Sequence, residues 1–348
     1  MTDAQYQPMI EVWRGPLVES LHRGALAVVD SAGRLRYSLG DPDAVVYLRS
    51  SAKPFQALAL IEQGGAEAFH LDEREIALMC ASHSGSDQHV AVLQQMQRKI
   101  GVGEADLLCG TQPPLDEAAL LELARRGESP TPNRHECSGK HTCMLALARF
   151  HNWPLAAYVD PQHPMQQLIL KTVAEMCGVP PSSVVLGVDG CSAPVFAVPL
   201  RQAALAYARL ADPTGLPERR AAACRRIFQA MTRFPEMVAG QDRFDTCLMQ
   251  AAAGQIVCKS GAEGYHGLGL LPGTTAANAP AVGIALKIAD GDLRARAGST
   301  AVMAVLRQLH ALSPAQLDAL AGFADRPVTN WREMAVGEVR ATFKLEKP

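Results

Sequence analysis

The sequence has almost no net charge: 33 Lys and Arg against 35 Asp and Glu leave a formal −2. A balance of that kind gives neither nucleic acid nor an anionic membrane surface a reason to bind. No run of about 18 apolar residues is present that could cross a bilayer. Met1 to Gln7 also lack the basic and apolar stretches of a secretory leader, so a cytoplasmic location is expected. Internal repeats, low-complexity linkers and Cys-x-x-Cys pairs are absent as well, which removes repeat architectures and the usual spacing of a structural zinc site. Cysteine itself is not scarce. The nine cysteines are an odd number without paired spacing, and they are read as reduced thiols, most of them small core residues.

What is present is a chain of 348 residues, 48% apolar and 20% charged, long enough to bury a sizeable core without disulfides. Residues 8–48 alternate or cluster β-branched and apolar residues in the manner of an antiparallel meander, with a turn at Ser31-Ala32-Gly33. From Phe55 to about residue 180 the apolar spacing is helical, and Gly101, Gly127 and Gly178 stand where helix ends need them. Short strands are expected near 184–188, 254–258 and 282–288, helices near 203–210, 217–233, 299–312 and 315–323, and a last strand within 337–345. Strands at both ends around a helical middle predict an α+β fold with one antiparallel sheet built from N- and C-terminal segments. The whole chain reads as one catalytic unit with two lobes, a sheet-containing one of 8–65 plus 250–348 and a mainly helical one of 66–249.

Four stretches could carry chemistry. In Arg49-Ser50-Ser51-Ala52-Lys53-Pro54 a strand pattern meets a helix pattern, and i,i+3 spacing lets the Ser50 hydroxyl and the Lys53 amine meet, the layout of a serine activated by lysine. Pro54 pushes Lys53 away from helical dihedrals, so a distorted first turn is expected. Cys80-Ala81-Ser82-His83-Ser84-Gly85-Ser86 could be a catalytic loop or the N-cap of the helix starting at Asp87. Lys259-Ser260-Gly261 ends a strand and is similar to the Lys-Thr-Gly strand of serine enzymes whose nucleophile lies in S-x-x-K; the alternative is a solvated lysine before a turn. In Asn133 to His141, Gly139-Lys140 lacks the remainder of a phosphate loop. Cys137, His135 and His141 could instead supply metal ligands, with Cys191 of the Asp189-Gly190-Cys191 loop as a distant partner.

Taken in order, these motifs together with Val18-Glu19-Ser20-Leu21-His22-Arg23-Gly24 and Leu286-Lys287-Ile288-Ala289-Asp290-Gly291-Asp292 resemble the Rhizobium etli type of L-asparaginase, the class 3 or asparaginase II family, over roughly residues 8 to 292. The resemblance implies a fold like that of serine β-lactamases and serine-dependent glutaminases. It also implies a homodimer and hydrolysis of L-asparagine to L-aspartate and ammonia. Carried over by position, it implies two serine–lysine tandems, Ser50 with Lys53 and Ser82 with Lys259. It places a supporting zinc on Cys137, Lys140 and Cys191, and substrate-lining roles on Arg49, His141 and Asp189. Either serine could be the one acylated. A glutaminase or β-lactam-recognising enzyme of the same fold is the alternative within hydrolases. A non-catalytic zinc or thiol sensor using Cys137 and Cys191 is the alternative outside them.

Overall fold

The computed structural model describes residues 5–348; Met1 to Ala4, part of the leader reading, lie outside them. In chain order the strands are β1 (Gln7–Arg14), β2 (Leu17–Asp30), β3 (Leu35–Leu39), β4 (Val45–Tyr47), β5 (Val185–Val188), β6 (Pro194–Pro199), β7 (Ile256–Gly261), β8 (Tyr265–Leu270), β9 (Val282–Ile288), β10 (Arg326–Thr329) and β11 (Ala335–Ala341). The helices are α1 (Lys53–Ile61), α2 (Gly65–Ala68), α3 (Glu73–Met79), α4 (Asp87–Ile100), α5 (Glu117–Arg126), α6 (Ser138–Phe150), α7 (Pro164–Cys177), α8 (Leu200–Ala211), α9 (Glu218–Arg233), α10 (Pro235–Val238), α11 (Phe244–Ala251), α12 (Gly298–Gln308) and α13 (Pro314–Ala319). The fold is α+β. None of the described helices is long and apolar enough to cross a membrane.

The chain divides into two compact units, and the division cuts the polypeptide between Ser51 and Ala52. The first unit holds the chain up to Ser51, Val198–Asp212 and Cys247–Pro348. Its sheet runs β10-β11-β1-β2-β9-β8-β7, with β3 added beside β2. N-terminal β1 pairs antiparallel with C-terminal β11, Val12 opposite Val339, so the two ends of the chain make one sheet. β2 is long enough to serve twice: residues 17–24 pair with β1 and residues 24–30 with β9. Gly24 to Asp30 are all buried, consistent with their near-continuous apolar run.

Side chains alternate between sheet faces, and this places two helices. A Cβ on Gly267 would lie 2.1 Å from the Tyr207 ring of α8, whereas the neighbouring His266 lies against Gly298 of α12. The helices therefore cover opposite faces. Close approach of α8 depends on missing side chains: a Cβ on Gly283 would lie 1.8 Å from the Ala204 carbonyl oxygen and one on Gly269 would lie 2.6 Å from that of Tyr207. Glycine weakens a strand pattern, and Gly267 and Gly269 account for β8 being missing from the sequence expectation.

The second unit, Ala52–Ala197 with Pro213–Thr246, is mainly helical. All nine residues of α1 are buried, as suits an apolar helix surrounded by others; it packs against α6, α7 and α9. Its neighbours start and stop on recognisable caps. Asp72 and Glu75 form a capping box on α3, Ser86 caps α4, and Gly101, Gly127 and Gly178 take left-handed conformations after α4, α5 and α7. β5 and β6 form an antiparallel hairpin whose turn carries Asp189 and Cys191.

Gly283→Ala is expected to lose roughly 1–3 kcal/mol of stability by forcing α8 off the sheet. Gly103→Ala, whose added Cβ meets nothing within 4 Å, should shift it by no more than about 0.5 kcal/mol. Urea denaturation of the two variants checks this, and equal losses would contradict it.

Candidate active site

The stretch Arg49–Ala52, of which Arg49 to Ser51 belong to the first unit, forms a 3₁₀ turn that precedes α1 in the chain. Arg49 takes φ of +50°, a strained conformation for a residue with a side chain, and Ser50 is only 8% exposed. The turn runs along β7. The Ser51 hydroxyl donates to the Lys259 carbonyl oxygen at 2.5 Å, and the Tyr207 hydroxyl donates to the Ser51 carbonyl oxygen at 2.7 Å. A Cβ on Gly261 would lie 2.7 Å from the Leu48 oxygen, so Lys-Ser-Gly needs its glycine to let the turn approach. Lys259 is fully buried and its Nζ donates to the Ser260 oxygen at 2.7 Å; the solvated-lysine alternative is excluded. The Arg49 guanidinium lies 3.9 Å from the Glu263 carboxylate.

In the second unit, Lys53 is the first residue of α1 and Pro54 follows it. Pro54 does not expel Lys53 from the helix; the irregularity expected there is taken up by the preceding 3₁₀ turn. The Lys53 side chain is 1% exposed, and its Nζ donates to the Ala81 oxygen at 2.6 Å and to Ser82 Oγ at 2.9 Å. Ser82 is held from several directions. Its N–H donates to the Val238 oxygen, Arg243 donates to its carbonyl, and Ser84 Oγ donates to the Ala239 oxygen two residues on. The stretch has its anticipated capping role, since Ser86 Oγ accepts from the His89 N–H and caps α4, and its Ser82 meets a lysine.

His83 ties this turn to α6. Gly85 N–H donates to His83 Nδ1, which leaves the ring proton on Nε2 to be donated to Ser138 Oγ at 2.8 Å. The Ser138 hydroxyl donates to the Asn133 oxygen. The His83 ring stacks on that of His89 with centroids 5.0 Å apart. Burial, aided by the charge of neighbouring groups, holds the pKa of His83 well below the ordinary imidazole value, and burial lowers His89 too.

Cys137, Lys140 and Cys191 converge. All three are nearly inaccessible, and Lys140 Nζ donates to Cys191 Sγ at 2.8 Å. A hydrogen bond from Cys191, with help from the Lys53 and Lys140 amines, holds the pKa of Cys137 well below the thiol range; the same bond and burial push Cys191 up. Burial opposes the charge on Lys140, but Cys137, Cys191 and Asp189 outweigh it and raise its pKa. Two sulfurs and an amine within bonding reach are donors that zinc accepts, and three protein ligands leave a fourth position open. His135 lies beside this set: its Nδ1 accepts from the Cys137 N–H, and its side chain also helps to lower the pKa of the Cys137 thiol. Gly139 lets the start of α6 seat against α3, since a Cβ there would lie 2.1 Å from the Leu78 oxygen.

His141 is buried, and Tyr158, which the sequence had not singled out, orients it. Leu108 N–H donates to the Tyr158 oxygen, which is also hydrogen-bonded to His141 Nδ1 at 2.6 Å. His141 Nε2 is buried and has no hydrogen-bond partner among the described residues. Burial, then the Lys140 charge, lowers the His141 pKa well below its ordinary value. Asp189 is half-buried and accepts from the Gly190 N–H.

Because His83 and His89 have depressed values in the folded chain, the unfolded chain takes up protons first as pH falls below about 6.5. Folding stability should be fully present above that pH and decline below it, by at most about 1.4 kcal/mol per pH unit for each ring. Unfolding in denaturant at pH 7.5 and pH 5.5 measures this. His89→Gln should flatten the dependence.

No curated protein is significantly similar to the chain in sequence. Among solved structures it is similar to a crystal structure of Mglu, 16% identical, covering 83% of this chain and 67% of that one at a TM-score of 0.43. A second Mglu structure, in its tris and glutamate form, is 15% identical over 88% of this chain and 63% of that one at a TM-score of 0.44. A probable glutaminase from Bacillus subtilis complexed with 6-diazo-5-oxo-L-norleucine is 12% identical over 83% and 84% of the two chains at a TM-score of 0.39. The family described as L-asparaginase II matches residues 10–341. With that match running over nearly its whole length, the chain belongs to the L-asparaginase II family.

Proposed function

We propose that this protein hydrolyses the side-chain amide of L-asparagine to L-aspartate and ammonia through a serine acyl-enzyme. Family membership supports an amide hydrolase, and the observation that carries the mechanism is the 2.9 Å contact between Lys53 Nζ and Ser82 Oγ. A free amine that donates one N–H to the Ala81 oxygen can accept a proton with its lone pair and pass one on to Ser82.

In this reading Ser50 Oγ attacks the amide carbon and its proton goes to Lys53, the next residue but two along the turn. The tetrahedral intermediate expels ammonia, which takes its proton from Ser82 Oγ while Lys53 reloads that hydroxyl. Water then cleaves the β-aspartyl ester by the same route in reverse. Lys259, together with Arg49, contributes positive charge for the developing oxyanion or the substrate carboxylate, and the neutral His141 contributes its Nε2–H. Asp189 suits the substrate ammonium. Cys137, Lys140 and Cys191 would hold zinc, which, when bound, supplies a fixed positive charge that orients and polarises.

Purified protein should release ammonia from asparagine, with Ser50→Ala and Lys53→Ala each reducing kcat by roughly 10³-fold or more. Asparagine should be preferred to glutamine, by about 10–200-fold if one methylene decides. Turnover of glutamine or nitrocefin in place of asparagine would reassign the substrate. No turnover of any, with a conformational response to metal or oxidant, would make the protein a sensor.

Zinc binding has its own sign. Lys140 and Cys191 are both held above their ordinary values, whereas Cys137 is held below its own, so the protons that zinc displaces come from Lys140 and Cys191. About two protons should be released per zinc, and apparent affinity should rise roughly 100-fold per pH unit. Titration calorimetry in buffers of different ionisation enthalpy measures the proton count, and a count of zero would remove zinc from these residues.

A further inference from the structure

We propose that Ser51 and Tyr207 are positioning residues that hold Ser50 and Lys259 in fixed relation. The proposal rests on the catalytic reading of those two residues and goes beyond it, because neither Ser51 nor Tyr207 has a place in the chemistry.

β7 is the last strand of its sheet, so one of its edges has no strand to pair with. The peptide groups of a given strand residue point to the same side, and the Lys259 carbonyl points outward from that edge to the Ser51 hydroxyl. The turn that bears Ser50 thus occupies the place of a neighbouring strand, attached by a side chain in place of a ladder. Three further observations show that the attachment is specific. Ser51 is fully buried, and its N–H closes the turn on the Leu48 oxygen. Its carbonyl accepts from the hydroxyl of the fully buried Tyr207, which fixes the peptide plane leading out of Ser51. Tyr207 in turn has no freedom to move, since its ring fills the space that a side chain on Gly267 would take. Both ends of the link lie in strained or close-packed backbone: Arg49 is left-handed, and Gly261 admits the Leu48 oxygen only because it has no Cβ.

The chemical consequence is directional. A serine hydroxyl reacts when it is held in line with its target, and a displacement of the order of 1 Å costs about 100-fold in rate. Ser51 neighbours Ser50 by one peptide bond and touches the residue that carries Lys259, so its hydroxyl sets the separation of the two backbones. Loss of that bond should leave substrate affinity in place and slow acylation.

The test uses full-length Ser51→Ala and Tyr207→Phe, the second removing one oxygen and keeping the ring. Ammonia release from asparagine gives kcat and KM, and labelling by the diazoketone analogue of asparagine, followed by peptide mapping, gives the rate of modification at Ser50 and the fraction of chains competent to react. The expected result is a kcat and a Ser50 labelling rate lower by about 10- to 100-fold in Ser51→Ala and by a smaller factor in Tyr207→Phe. KM should stay within about twofold and the labelled fraction near that of the wild type. A lowered fraction at an unchanged rate means misfolding alone and overturns the proposal, as does a wild-type rate in both variants. A wild-type protein that neither turns over asparagine nor labels at Ser50 overturns the catalytic reading, and this proposal with it. Wild-type turnover together with unaffected variants overturns only the positioning role.

Discussion

A lysine amine that cannot reach water must find its hydrogen-bond partners inside the protein. Most lysines escape this by extending their stems to the surface, but every residue of α1 is buried, and Lys53 at its first position has no such exit. The Cys80–Ser86 stretch is brought to it instead. The Ala81 carbonyl and Ser82 hydroxyl meet the amine, and the contacts that hold Ser82 in place are made by the chain around Val238 to Arg243. His83 extends the same arrangement to the first turn of α6, which Cys137 precedes. The burial of one amine thereby organises three segments distant in sequence.

The cysteines show that residue type alone does not decide chemistry. Burial pushes the thiols of Cys143 and Cys224 up to about 12, where they are inert core atoms. Cys137 is buried equally well, yet a hydrogen bond from Cys191 and nearby amines bring it down. All nine cysteines are unpaired by disulfides, as their irregular spacing implied. The difference between the two kinds lies in neighbours that come from residues 53, 140 and 191, which no local pattern can reveal.

Much of the architecture was legible where physics is local. Helix caps at Ser86, Gly101 and Gly178 follow from side-chain and backbone preferences within a few residues, and the apolar run Ala25–Val29 announces a buried strand. Other elements were hidden because their reasons are tertiary. β8 reads Tyr-His-Gly-Leu-Gly-Leu, and its glycines make sense only against Tyr207 of α8. β6 is bracketed by prolines at 194 and 199 and shows no alternation. The reactive stretches could be recognised as motifs, but the partner of each side chain could not. Lys53 proved to contact Ser82, while Ser51, next to Ser50, carries a buried hydroxyl bond to the Lys259 carbonyl oxygen. Tyr158 gave no signal at all, since a lone tyrosine becomes an imidazole's partner only once α6 and the loop before α7 are in place.

The pairing of β1 with β11 bears on how the molecule comes into being. Strands near the two chain ends lie side by side, Val12 against Val339, and such distant pairing forms late and slowly. On the ribosome, the N-terminal strand emerges hundreds of residues before its neighbour and must wait with one edge bare, open to chaperones or to other nascent copies. The sheet that carries Lys259 is whole only after residues 335–341 leave the exit tunnel.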